Sequence, residues 1–99
     1  MPKAYLIGNV TMKDPVAYAE YARQVAPMIA RFGGTYLVRG GAVTPVEGNA
    51  TLNRVVVLEF PSMEQLKAFY FSADYAPLIK LRQQAAEGDI ALVEGYLPP

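Results

Sequence analysis

A short apolar strand, a long amphipathic helix and a second strand occur twice in succession along this chain. The first unit covers residues 4–39 and the second covers residues 54–94. The segment that joins them, residues 40–53, contains three glycines and a proline, as expected for a long loop or hairpin connection. Because each unit must bury the apolar side of its helix against strands, the repeat predicts one α+β domain over residues 1–99.

Four segments have the composition of strands: residues 4–10, 35–39, 54–60 and 89–94. The run Val55-Val56-Val57-Leu58 shows no polar alternation, which is typical of a strand buried on both faces. Right-handed crossovers place both helical layers on one face of a shared sheet. The order of elements therefore predicts a ferredoxin-like, split βαβ fold with a four-stranded antiparallel sheet and helices on one face.

Capping residues indicate where the first helix begins and ends. Asp14 is a good N-cap and is followed by Pro15, which suits the first helical position. The pair Gly33-Gly34 predicts the end of the helix. Pro27 lies within it and is expected to kink or loosen the helix, because proline removes an internal hydrogen bond.

The second helical region is expected to begin after Ser62, whose spacing to Gln65 fits a capping box. Asp74 indicates a break with a fresh cap, so a further helix is predicted over residues 75–86. Gly88 is expected to stop this last helix before the fourth strand.

The balance of apolar and charged residues predicts a partner chain. The chain is 53% hydrophobic and only 18% charged, compared with about 25% charged in an average domain. Both registers of the strands carry apolar side chains, so a sheet covered on one face leaves apolar groups uncovered. Packing of two such sheets against each other predicts a homodimer, hence a dimeric α/β barrel.

Charge and hydropathy exclude other partner classes. The nine basic and nine acidic residues cancel and no basic run occurs, which argues against nucleic acid. No apolar stretch approaches the ~20 residues that a membrane span requires. The first residues turn polar too early for a signal peptide, so a cytoplasmic location is expected.

The chain has no histidine and no cysteine. A transition-metal site would therefore need carboxylates alone, and the usual heme ligands and Ser-His or Cys-His pairs are missing. We expect no metal and no cofactor, and any chemistry has to use Asp, Glu, Tyr, Lys, Arg, Asn or backbone groups.

Several blocks together resemble the small bacterial family known as domain of unknown function thirteen-thirty. They are residues 33–41, 46–48, 54–62, 69–75 and 93–95, with Arg82. The resemblance implies the dimeric α/β-barrel superfamily, which includes cofactor-independent monooxygenases, muconolactone isomerases and dye-decolourising peroxidases. Members often have Trp where this chain has Phe69. The fold alone carries little functional information.

Four residues are candidates for a site. Arg39 ends a strand beside two glycines and is interpreted as a substrate-binding group, with an ion pair to Glu47 or Glu59 as the alternative. Glu59 is the one carboxylate within an apolar strand and is interpreted as a catalytic base. Its alternative is an ion pair with Arg39 or Arg54.

Tyr75 and Arg82 are seven residues apart, so they share one face of the last helix. We interpret Tyr75 as a catalytic hydrogen-bond donor and Arg82 as a substrate-binding group. The alternative is an arginine whose stem packs on the core while its head reaches solvent.

Two functional hypotheses remain open at this point. The first is a cofactor-independent enzyme that acts on a small aromatic or carboxylated metabolite. The second is a non-catalytic homodimer that binds a small ligand or serves as a scaffold. Whether Arg39, Glu59, Tyr75 and Arg82 converge on one cavity cannot be decided without the strand register.

Overall fold

A computed structural model describes residues 2–99. The elements in chain order are β1 (Ala4–Met12), α1 (Pro15–Arg31), β2 (Thr35–Arg39), β3 (Arg54–Phe60), α2 (Met63–Tyr70), α3 (Ala76–Ala85) and β4 (Ala86–Glu94). The strands form one antiparallel sheet in the order β2-β3-β1-β4. This order confirms the predicted α+β, ferredoxin-like arrangement.

The sheet register separates the strand residues into two faces. Leu6 of β1 pairs with Leu58 of β3 and with Leu92 of β4, so these three side chains share a face. The helices cover this face, and the core lies between the two layers. The largest fully buried side chains are Tyr75, Phe60, Phe69, Leu66 and Val25.

The other face of the sheet is uncovered in the single chain, and we call it the open face. Ile7 pairs with Val57 at its centre, and Ile7 and Val93 remain 43% and 42% exposed. The molecule is only 16 Å thick along its shortest axis, as expected for one helical layer on one sheet. The apolar character predicted for both faces of the strands is therefore present.

The junction between α3 and β4 differs from the prediction. The helix ends at Ala85, whose carbonyl accepts hydrogen bonds from the backbone N–H groups of Lys13 and Asp14, both at 2.9 Å. Ala86 is already extended and opens β4. The expectation that Gly88 stops the helix is wrong, because Gly88 lies inside β4 opposite Val10. A Cβ at this position would overlap the neighbouring backbone of β1.

Two of the predicted helix caps are confirmed. The side chain of Asp14 accepts from the Ala17 N–H at 3.1 Å, and that of Ser62 accepts from the Gln65 N–H at 3.2 Å. Pro27 stays inside α1 and does not divide it. Within residues 2–99, no helix is long and apolar enough to cross a membrane.

The predicted cap at Asp74 is wrong. Tyr75 is the N-cap residue of α3, and its N–H donates to Ser72 Oγ at 3.2 Å. Asp74 instead accepts a hydrogen bond from Arg31 Nη2 at 3.0 Å at the end of α1. The break between α2 and α3 therefore turns the Tyr75 side chain into the interior, where it is 1% exposed.

Candidate functional site

A cavity lies between the helix-covered face of the sheet and helices α1 and α3. Three of its lining residues are arginines, Arg39, Arg54 and Arg82, and four are tyrosines, Tyr18, Tyr21, Tyr36 and Tyr75. The rest of the lining is aliphatic, and none of the lining residues, all within 2–99, is acidic. Its volume is about 40 Å³ and it is partly open to solvent, so a ligand can extend beyond the enclosed part.

Three buried side chains form the inner end of the cavity. Arg82 Nη1 donates to Tyr75 Oη at 3.0 Å, and the hydroxyls of Tyr75 and Tyr21 lie 2.7 Å apart. The seven-residue spacing within and beside α3 brings Tyr75 next to Arg82, and α1 supplies Tyr21. Because Arg82 occupies one acceptor site of Tyr75, one tyrosine hydroxyl of the pair keeps a proton to donate toward the cavity.

Burial sets the ionisation of this network. It raises the pKa of Tyr21 and that of Tyr75 above the usual tyrosine value, so both hydroxyls are neutral donors at ordinary pH. Arg82 is only 8% exposed, and within residues 2–99 it has no carboxylate in ion-pair contact. The inner end thus carries the positive charge of Arg82, and its hydrogen-bond acceptors are neutral tyrosine oxygen atoms.

A β-bulge decides where Arg39 points. Tyr36 pairs with Leu58, but Val38 pairs with Val57, so the register shifts between them. Without the shift, simple alternation would put Arg39 on the open face. With it, Arg39 pairs with Val56 on the covered face, and its Cζ lies 4.7 Å from the centre of the Tyr36 ring.

Arg54 lies beside Arg39 at the mouth of the cavity. Its Cζ is 5.3 Å from the centre of the Tyr18 ring. Gly40 has φ = +69°, and a Cβ built there would overlap the Arg54 guanidinium. The Nε of Arg54 is the one buried side-chain nitrogen or oxygen in the described part of the chain without a hydrogen-bond partner.

Glu59 lies on the other side of the sheet. It pairs with Tyr5 and Thr35 across neighbouring strands, on the open face. Its carboxylate accepts from Tyr5 Oη at 3.1 Å and contacts Lys3 Nζ at 3.4 Å. Arg39, Tyr75 and Arg82 therefore share one cavity, whereas Glu59 does not reach it within the same chain.

Sequence reasoning considered Arg54 only as a partner of Glu59. The alternation of side chains along β3 could have identified it. Arg54 is an even number of residues from Val56, Leu58 and Phe60, so it lies on the same covered face. Tyr21 belongs to the core and also lines the cavity. Among residues 2–99 no group of three or more acidic side chains lies close enough together to hold a metal ion.

The fold is shared with two crystal structures of RPA0582. The methylated protein has a TM-score of 0.77 at 21% identity, covering 98% of this chain and 83% of that one. The structure of RPA0582 from Rhodopseudomonas palustris, a protein of unknown function, has a TM-score of 0.75 at 22% identity, covering 98% and 85%.

A third similar structure is SnoaB, a cofactor-independent oxygenase from Streptomyces nogalater. Its TM-score is 0.67 at 11% identity, and the match covers 99% of this chain and 97% of SnoaB. At such identities the likeness shows the fold alone. A comparison with functionally curated proteins found no match.

The sequence also matches a family model over residues 3–96, nearly its whole length. This agrees with the blocks around Gly33, Arg54 and Phe69 from which the resemblance was inferred. The chain has a ferredoxin-like fold and belongs to the family described as Domain of unknown function (DUF1330).

Proposed function

We propose that the cavity binds a small organic anion with a flat or apolar body, such as an aromatic carboxylate. The observation that carries this proposal is the lining: three guanidinium groups, four tyrosines and aliphatic side chains, with no carboxylate. A site of this kind supplies charge for one end of a ligand and apolar walls for the rest.

The charge of Arg82 supports the proposal. A buried cation loses its hydration, and this cost is normally offset by a paired anion. Within residues 2–99 Arg82 has tyrosine oxygen atoms instead. A ligand carboxylate at the inner end would accept from the guanidinium and from a tyrosine hydroxyl, which are charge-assisted hydrogen bonds of the stronger kind.

Catalysis is the second candidate function, and the Tyr21–Tyr75–Arg82 network favours it. A neutral hydroxyl polarised by an adjacent guanidinium can stabilise negative charge that develops on a substrate oxygen. Tyr75 is then the donor, and Arg82 and Arg39 bind the substrate. Glu59 has no part in this proposal, because it lies on the open face. The similarity to a cofactor-independent oxygenase supports the candidate only at the level of fold.

We also propose that two chains associate through their open faces. The centre of this face, around Ile7 and Val57, is apolar and partly exposed, and the thin shape of the chain leaves the whole sheet accessible. Exposed apolar patches of this kind are typical of association surfaces. A second sheet would remove them from water on both chains at once.

An NMR titration with benzoate and with benzamide tests the binding function. The two compounds have similar shapes, but only benzoate is an anion. We expect benzoate to shift resonances of cavity residues and benzamide to bind at least about tenfold more weakly, as for loss of a charge-assisted hydrogen bond. Equal binding of the two, or binding of neither, would contradict the proposal.

Variants locate the benzoate site. Arg82→Gln and Tyr21→Phe remove groups of the inner end and are expected to weaken benzoate binding. Tyr21→Phe removes only one hydroxyl, so its benzoate affinity can still be measured if Arg82→Gln does not fold. Arg23→Gln is the matched control, because Arg23 is exposed on α1 and pairs with Glu20. An equal loss in the control would place the anion elsewhere.

A further inference from the structure

Two arginine side chains, Arg39 and Arg54, line the mouth of the cavity, and no acidic residue is part of its lining. The bulge in β2 directs Arg39 to the covered face, and the residue that follows it, Gly40, packs directly against the Arg54 guanidinium. Burial raises the pKa of Tyr36, and the positive charges of Arg39 and Arg54 both oppose that rise. Both cations therefore act electrostatically on Tyr36, and the Arg39 guanidinium lies over its ring.

This pair lacks the carboxylate partner that four other cations of the chain have. Lys3, Lys13, Arg23 and Arg31 each pair with a carboxylate. Among residues 2–99, Arg39 and Arg54 have none in ion-pair contact, and aromatic rings are their main neighbours. Like charges held side by side repel each other, and the buried Nε of Arg54 also lacks an acceptor. One anionic group at this position would offset both costs.

The mouth and the inner end are separate positions on the sheet. Arg39 lies on β2, at one edge, in the row Arg39–Val56–Gly8–Ile90. Arg82 lies beside Ile90 and Gly88 of β4, at the opposite edge, where it also lines a second cavity of about 60 Å³. Three strand spacings of about 4.8 Å separate the two edge strands. Aliphatic side chains line the wall between the two positions.

We propose that the cavity is selective for small rigid dianions, and in particular for aromatic dicarboxylates. One carboxylate binds at the inner end, to Arg82 and the tyrosine pair, and the other binds between Arg39 and Arg54. This inference rests on the binding function proposed for the cavity and specifies its ligand class. Gly40 is then a positioning residue, because a Cβ there would displace the Arg54 guanidinium from this place and its φ of +69° favours glycine.

Titrations with benzoate, phthalate, isophthalate and terephthalate test the proposal. At neutral pH benzoate carries one negative charge and the three dicarboxylates carry two. We expect at least one dicarboxylate to bind about tenfold tighter than benzoate, since one added charge-assisted contact has that effect. Failure of every dicarboxylate to exceed benzoate would overturn this inference and leave benzoate binding intact. Failure of all four compounds would overturn the binding function as well.

Arg54→Gln and Gly40→Ala test where the second carboxylate binds. Both are expected to reduce the affinity for the dicarboxylates more than the affinity for benzoate. Gly41→Ala is the matched control for Gly40→Ala, because a Cβ at Gly41 meets nothing within 4 Å. Equal losses of benzoate and dicarboxylate in Arg54→Gln would show a single anion position and overturn the proposal. An equal effect of Gly41→Ala would overturn the positioning role of Gly40.

Discussion

The two faces of the sheet are built from alternate residues of the same strands, yet they differ in whether their charged side chains have partners of opposite charge. On the covered face, Arg39, Arg54 and Arg82 line a cavity without any acidic group. On the open face, the carboxylate of Glu59 already has Lys3 and Tyr5 as partners. The arginines of the covered face are therefore available to bind an anionic ligand. On the open face, Glu59 is already paired and the centre is apolar.

This difference shows how one strand can serve two functions. In β3, Arg54, Val56 and Leu58 face the cavity, and Val55, Val57 and Glu59 face away. Because successive side chains alternate, either set can change without directly altering the other. We expect substitutions on the covered face to affect core stability and anion binding, and substitutions on the open face to affect association.

The largest effect is expected from Leu58→Ala compared with Val57→Ala. Leu58 is 3% exposed and packs in the core, so its truncation should lower the free energy of unfolding by about 2–5 kcal/mol. Val57 is half-buried on the open face, and its truncation should cost about 1 kcal/mol. Urea denaturation measures both. Equal losses for the two neighbours would mean that the faces are not energetically distinct.

The next effect concerns association. Val57→Lys places a charge at the centre of the open face and should convert a dimer to chains of 10.8 kDa, as measured by sedimentation velocity. The same substitution at Val16, which is 82% exposed on α1, is the matched control and should leave the mass unchanged. A parent protein that is already a stable monomer at micromolar concentration would rule out the open face as an interface.

The smallest effect is expected at alkaline pH. Burial raises the pKa of Tyr21 in the folded chain above the usual tyrosine value of about 10, so the folded chain keeps a proton that the unfolded chain releases. This stabilisation is fully present below about pH 10 and is lost as pH rises further. The decline in the free energy of unfolding should be shallower in Tyr21→Phe.

Tyr5 on the open face provides the comparison for that measurement. Its pKa is raised mainly by the hydrogen bond to Glu59, with lesser contributions from burial and the Glu59 charge, and the side chain is solvent-accessible. Tyr5→Phe should therefore change the alkaline slope less than Tyr21→Phe. A larger change in Tyr5→Phe would contradict the view that the Tyr21–Tyr75 pair is the desolvated one.

Most of the fold could be predicted from the order of residues. Strand composition, the caps at Asp14 and Ser62, and the repeat of strand-helix-strand units are local signals that tertiary contacts did not override. The errors lie at Asp74, which does not cap α3, and at the α3–β4 junction. There Gly88 has the local character of a helix stop, but pairing with Val10 of β1 places it inside the strand.

The candidate site was predicted less completely. The spacing of Tyr75 and Arg82 correctly predicted a shared helix face, and the structure joins them by a hydrogen bond. Arg39 could not be assigned to a face, because the bulge in β2 changes the alternation beyond Tyr36. Glu59 alternates out of step with Leu58 and Phe60 in β3, so it lies on the opposite face. Arg54 was overlooked as a cavity residue, although its parity with Leu58 was visible in the sequence.

By itself, the sequence determined the fold class, the apolar strands and the absence of histidine and cysteine from any chemistry. These properties depend on composition and on periods of two and 3.6 residues, which are readable along the chain. Only the tertiary structure decided which charged groups meet. One register shift in β2 turns Arg39 to the face that carries Arg54, because a shift by one residue reverses the side to which every later side chain points. Glu59 lies on the other face through the regular alternation of β3.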